Sequence, residues 1–389
     1  MSVWSYISNI WQKIFGSGNN SMPTPAPIPV PFPVSPTPTP TPPSPVPPSP
    51  PVLPPINKVK PPVVGVTSMG DTSVLKTFVG YPVNDFSDIK SLPNQYAGQV
   101  CNFTWGQLNP SSGTYDFSAI DSCIAMARQL KTLIEIRVFQ GPLVPSWVID
   151  ATGPVTIYNK RGGSPTVTMA KIWTDTYMNA VAEFVAKLAS VYDTNPTVKT
   201  FWAMGGNASF TDELFNVGGL PEIRKQWSEA GMTDALSTAS IEQVIPNNNV
   251  WKYTQVGAPV SSFQSVDNPE APTTNEFSMQ FAQNYINAFG PLGVLANMAF
   301  NSSKTSGSNY ELLKSLSALC NTNNYLFCGQ EVGSATNNGN VSDDVTFMAS
   351  LGVTEFQAWP QRGSNTYTAA DMEKWTMEMV SNAKTKNRM

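Results

Sequence analysis

The sequence predicts an α/β protein, a (β/α)8 TIM barrel preceded by an amphipathic N-terminal helix and a disordered proline-rich stalk. Three observations lead there. Beyond Pro62, short β-branched runs alternate with helical patterns, the signature of βαβ units and a parallel sheet. Residues 63–389 are too long for one ordinary core but suit one such barrel with insertions. Seven runs read clearly as strands, one short of a closed barrel.

Those strands are expected at Val63–Ser68, Gln99–Trp105, Leu133–Phe139, Thr200–Gly205, Val294–Phe300, Tyr325–Glu331 and Thr354–Trp359. Helical spacing follows at Phe117–Lys131, Lys171–Tyr192, Glu276–Phe289, Tyr310–Asn321, Ser342–Leu351 and Ala369–Lys384. Asn216–Thr274 reads least clearly: a fifth strand lies near Gln255–Ser261, or a large insertion occupies the whole stretch. The choice matters, because it decides whether Glu331 ends the sixth or the seventh strand.

Ahead of the barrel the chain divides into residues 1–18 and 19–62. Val3, Trp4, Ile7, Ile10, Trp11, Ile14 and Phe15 recur at spacings of three and four and form one apolar stripe of a helix, which Gly16 and Gly18 end. The helix is too short to span a bilayer and lacks the form of a secretory signal. Its stripe needs a membrane surface, a partner's groove or a second copy to bury it. From Pro23 to Pro55 every second or third residue is proline, which forbids helix and ladder and leaves polyproline II, up to about 100 Å if fully extended. The order is anchor (1–18), linker (19–62), head (63–389).

Composition removes several chemistries. There is no histidine among the 389 residues, so a Ser-His-Asp triad, a Cys-His dyad and any His-based zinc site are out, and acid/base work falls to carboxylates. Charged residues are 13% and the formal charge is −4, which gives no basic footprint for nucleic acid. The four cysteines, Cys101, Cys123, Cys320 and Cys328, lack CxxC spacing. Cys320 and Cys328 flank a short polar turn, so they either form a disulfide or remain two buried thiols.

The most specific segment runs from Trp105 to Phe117, reading Trp-Gly-Gln-Leu-Asn-Pro-Ser-Ser-Gly-Thr-Tyr-Asp-Phe. Ile120, Asp121, Ile124 and Ala127 follow on a helix that Asp116 or Ser118 can cap, then the strand Leu133–Phe139 and Pro145-Ser-Trp147-Val148. From Val100 to Ile149 this resembles the beta-galactosidase-like members of clan A of the glycoside hydrolases. The resemblance implies a (β/α)8 barrel with its site at the C-terminal ends of the strands. There Trp105 is either a sugar-stacking platform or a packing residue. Arg137 is either a buried ion-pair partner, of Glu135 or a rim carboxylate, or a substrate contact.

Glycosidases of this kind need two carboxylates, about 5–5.5 Å apart in retaining enzymes and about 6.5–9.5 Å apart in inverting ones. Gly205-Gly-Asn207-Ala-Ser-Phe-Thr-Asp-Glu213 resembles the rim of the fourth strand, where the clan keeps an adjacent Asn-Glu pair. Here Asn207 and Glu213 are separated, so Glu213 must reach the site from a loop, in competition with Asp212. Glu331, in Phe327-Cys-Gly-Gln-Glu331-Val-Gly, resembles the clan nucleophile, and Trp359 resembles the sugar-stacking tryptophan of the eighth strand. The expected function is cleavage of a β-linked glycoside or polysaccharide by a tethered enzyme, with catalytic Glu213 and Glu331 and substrate-binding Trp105, Arg137, Asn207 and Trp359. No metal or organic cofactor is expected. The expected partners are a carbohydrate and, through residues 1–15, a membrane surface or particle; the expected setting is extracellular, at a cell or virion surface. The displaced Asn-Glu pair keeps open a non-catalytic glycan-binding spike.

Overall fold

The structure, a computed structural model, describes residues 59–69, 84–92, 95–158, 166–206, 214–300, 305–331, 341–358 and 368–387, with the side chains of Gln330 and Glu331 outside that description. These residues belong to one unit, Pro50–Met389. The strands, in chain order, are β1 (Gly65–Ser68), β2 (Gly98–Thr104), β3 (Ile134–Phe139), β4 (Pro154–Tyr158), β5 (Thr166–Ala170), β6 (Val198–Trp202), β7 (Gln255–Pro259), β8 (Gly293–Phe300), β9 (Leu326–Glu331) and β10 (Glu355–Ala358). Eight of them close a parallel barrel in the order β1, β2, β3, β6, β7, β8, β9, β10. The eighth strand that the sequence left open is β7.

Side chains alternate across a strand, and residues paired in parallel register share a face. The pairs Val100↔Glu135, Asn102↔Arg137, Glu135↔Thr200, Thr67↔Gln357 and Cys328↔Glu355 therefore line the interior. That interior has two halves. Trp202, Val294, Ala296, Leu326 and Cys328 make an apolar cluster from β6, β8 and β9. Thr67, Glu135, Arg137, Glu355 and Gln357 make a polar one from β1, β3 and β10, all of them buried. Trp202 separates the two, and Gly257 makes room for it: a Cβ there would lie 2.6 Å from the indole ring.

Outside the sheet, the helix Ser118–Gln129 buries Ile120, Cys123, Ile124 and Ala127, the stripe its spacing predicts. Asp116 Oδ1 accepts from the Ser118 N–H at 3.0 Å in the turn that leads into the helix, whose N-cap position is Phe117 with no side-chain cap. Cys101 of β2 is joined to Cys123 of this helix as a disulfide, Cα atoms 6.8 Å apart. Of the two alternatives for Cys320 and Cys328 the structure has the second: both are free and buried. Cys328 faces the barrel interior, whereas Cys320 packs on the outer side of the sheet from the helix Ser308–Thr322. The strand stands between them.

Two features lay outside the sequence reading. The antiparallel hairpin β4–β5 follows β3, its Val155, Ile157 and Met169 buried and Thr156 and Thr168 paired on its outer face. Among the described residues between β6 and β7 stand three short helices, Pro221–Glu229, Asp234–Glu242 and Val244–Asn248. Neither has the length that makes periodicity decisive.

The N-terminal end of the barrel is closed by residues ahead of β1. The Lys60 N–H donates to Tyr253 O at 2.9 Å, and its Nζ donates to Val198 O and Thr254 Oγ1, both at 2.6 Å. Asp193 holds the facing turn, accepting from the backbone N–H groups of Lys252, Tyr253 and Thr254 at 2.7–3.0 Å. Lys60 is 1% exposed, so it packs with the head.

Candidate active site

The C-terminal rim is where a parallel barrel presents chemistry, because its βα loops converge there and the strand ends leave backbone room. At the end of β6 the chain turns outward through Gly205 (φ +104°) and Gly206 (φ +63°). A side chain at Gly206 would meet Leu214 O at 2.8 Å, so glycine is required there. Two amides fix this turn. Gln140 Oε1 accepts from the Gly205 N–H at 2.9 Å and from Tyr177 Oη at 3.2 Å, and Asn248 brackets Met204 through both its N–H (3.1 Å) and its carbonyl (2.8 Å). The segment carrying Asn207 and Glu213 leaves from this clamp. Both residues lie outside the described ones, as does Trp359.

With β7 in the barrel, β9 is the seventh barrel strand, and Glu331 is its last residue, at the C-terminal rim. Trp359 directly follows β10, the eighth. The alternative position of Glu331, on a sixth strand, is thereby removed.

Trp105 is not at the surface of the rim. It starts the short helix Trp105–Leu108, is fully buried, and packs edge-on to Tyr177 and tilted against Phe184, with its Nε1 on Asn109 Oδ1 at 3.3 Å. Its aromatic faces are taken by core neighbours, so the packing alternative holds and the stacking platform falls away. Arg137 is 2% exposed in the polar half of the barrel; its guanidinium lies over the Trp202 ring, 5.2 Å from the centroid, and donates to Gln357 Oε1.

Around Arg137 sit two carboxyls. Glu135 Oε2 accepts from Trp202 Nε1 at 2.7 Å and Gln357 Nε2 at 3.1 Å. Glu355 Oε1 accepts from Thr67 Oγ1 at 3.0 Å and Gln357 Nε2 at 3.3 Å. Burial, then the charge of Glu355, pushes the Glu135 carboxyl well above the ordinary range. Burial also raises Glu355, opposed by hydrogen bonds from Glu135, Thr67, Gln357 and Cys328. The sequence reading named Glu135 only as a partner of Arg137 and did not single out Glu355 or Gln357. The available signal was a polar residue at every second position, Glu135/Arg137 and Glu355/Gln357, in strands otherwise apolar.

The fold is a closed parallel eight-stranded (β/α)8 barrel whose seventh strand ends at Glu331. Residues 85–216 match the family model described as Beta-galactosidase. No curated protein matches the chain. Among solved structures, it is similar to endo-glycoceramidase II from Rhodococcus sp. as the lactosyl-enzyme intermediate, at TM-score 0.49 and 12% identity over 82% of this chain and 80% of that one. The same enzyme's ganglioside GM3 complex gives TM-score 0.48 and 11% identity over 82% and 81%.

Proposed function

We propose that the head hydrolyses a β-linked glycoside or polysaccharide, with Glu331 as nucleophile and Glu213 as general acid/base. The observation that carries this reading is the position of Glu331 at the C-terminal end of the seventh strand of a closed barrel. The strand bearing the partner carboxylate's loop, β6, ends in a turn held by Gln140, Asn248 and a glycine pair, the rigid support that a catalytic loop needs. The match of residues 85–216 to a family described as Beta-galactosidase supports a β-glycoside and sets the first substrates to try. Asn207 and Trp359, at the ends of the fourth and eighth strands, contact the sugar in this reading, and Arg137 acts from beneath.

Glu331→Gln removes the negative charge that a covalent glycosyl-enzyme requires, so turnover of aryl β-galactosides and of a panel of other β-glycosides should fall by several orders of magnitude while glycan affinity stays near that of wild type. Unchanged turnover in that variant overturns the assignment. One observation favours a second reading: Asn207 is followed by Ala208 instead of a carboxylate. If wild type binds a glycan but cleaves none of the panel, the head is a non-catalytic glycan-binding spike.

Residues 1–18 tether the head to a membrane surface or particle in this proposal, and residues 19–62 space it. The Cys101–Cys123 disulfide supports an oxidising, extracellular or virion-surface setting. A reporter fused to residues 1–18 should bind vesicles or particles and lose that binding when Trp4 and Trp11 become serine; a reporter soluble with both tryptophans intact rejects the anchor.

A further inference from the structure

Glu135 and Glu355 are 0% and 2% exposed and share the barrel interior with one guanidinium, that of Arg137. Were both carboxyls ionised, the interior would hold a net negative charge shut away from water, which burial penalises heavily. The hydrogen bonds resolve the conflict. Trp202 Nε1 donates to Glu135 Oε2, Thr67 Oγ1 to Glu355 Oε1, and Gln357 Nε2 to both carboxyls. Glu135 Oε1 is buried with no donor reaching it, and the Gln357 amide nitrogen, bonded to both carboxyls, brings Glu355 to its side. A carboxyl oxygen in that position carries a proton itself and gives it to the other carboxyl.

We propose that Glu135 and Glu355 share one proton, carried on Glu135 Oε1, and act as a positioning pair that holds Gln357, and through it the Arg137 guanidinium, beneath the C-terminal rim. The amide explains the coupling. Its Nε2 end is held by the two carboxyls, so its Oε1 end faces Arg137 and accepts from it. Charge then balances with Glu135 neutral, Glu355 anionic and Arg137 cationic. Among the described residues, Cys328 also faces the pair and is kept a neutral thiol by burial. Loss of the shared proton at alkaline pH leaves two anions side by side around the Gln357 amide and changes the charge that the Arg137 guanidinium faces.

The pair is tested on the full-length protein without reference to activity. The infrared spectrum at pH 7 should show the carbonyl stretch of a protonated carboxylic acid that persists in Glu213→Gln and is lost in Glu135→Gln and in Glu355→Gln. The Arg137 Nε–H signal in a nitrogen–proton correlation spectrum, assigned by its disappearance in Arg137→Lys, should shift in wild type as the acid band titrates away. In Glu135→Gln, whose amide stays neutral, it should not shift over that pH range. Absence of the acid band at pH 7, its survival in Glu135→Gln, or an Arg137 signal indifferent to its loss overturns the proposal. If Glu135→Gln does not fold, the wild-type band and the Arg137 shift decide alone. The catalytic consequence rests on the glycoside hydrolase reading: the alkaline limb of kcat should follow the acid band in wild type and move to higher pH in Glu135→Gln. A protein that shows the band but cleaves nothing retains the pair and loses only that reading.

Discussion

Lys60 Nζ donates to Thr254 Oγ1 across 2.6 Å, and this bond ties the end of the proline-rich segment to the turn that starts β7. Removal of residues 1–58 should leave the unfolding transition of the head unchanged, because nothing in that stretch supplies this contact. Removal of residues 1–62 should still yield a folded head but lower its melting temperature, since Val198 O and Thr254 Oγ1 lose a buried donor. Calorimetry on the two truncations checks the difference; equal melting temperatures would show that the strap contributes nothing.

The same lysine makes stability depend on pH. Burial pushes its amine down to about 7 from 10.5, against the pull of Asp193. Between those values the unfolded chain binds the extra proton, so stability should rise with pH from 7 to 10.5, by at most about 1.4 kcal/mol per unit, and should lose this dependence below 7. Denaturant titrations across pH 7–10 on wild type and Lys60→Met test this: the variant's curve should be flatter. A slope shared by both proteins assigns the effect elsewhere.

Trp105 is a core residue in this structure, so Trp105→Ala should cost about 3–5 kcal/mol of stability. Its sugar affinity, measured well below the variant's melting temperature, should equal that of wild type. A large loss of affinity without loss of stability would return Trp105 to the binding surface.

Breaking the Cys101–Cys123 bridge should destabilise the head by about 3 kcal/mol, given a closed loop of some 22 residues. Cys123→Ser and reduction of wild type should give the same shift in chemical denaturation. Cys320→Ser and Cys328→Ser should keep the wild-type shift on reduction, because the bridge is intact in both and those two thiols are unpaired.

Glu213→Gln should slow cleavage of glycosides with poor leaving groups by two or more orders of magnitude and hardly change cleavage of those with good ones, which need little protonation. A leaving-group series on wild type and variant reads this directly. Equal effects across the series would remove Glu213 as the acid, and Asp212 would be next to test.

Much of this protein was decided locally. The βαβ alternation, the helices Glu276–Phe289 and Ala369–Thr385, the helix Ser118–Gln129 and the strand ending at Glu331 are all written in spacing and composition, because a parallel strand buried on both sides needs a continuous apolar run and its helix an apolar stripe. Residues whose meaning depends on what lies across the barrel were not legible. Trp105 has the same neighbours in sequence whether it lines a rim or a core, and only Tyr177 and Phe184, some 70 residues further on, settle it. The cysteine pairing followed from which side of the sheet each thiol occupies, so the nearest pair in sequence, Cys320 and Cys328, was the pair that could not meet. Closure brought Glu135 of β3 beside Glu355 of β10, 220 residues apart, and two residues that read singly as charges became one buried acid pair through the low dielectric of the interior they share.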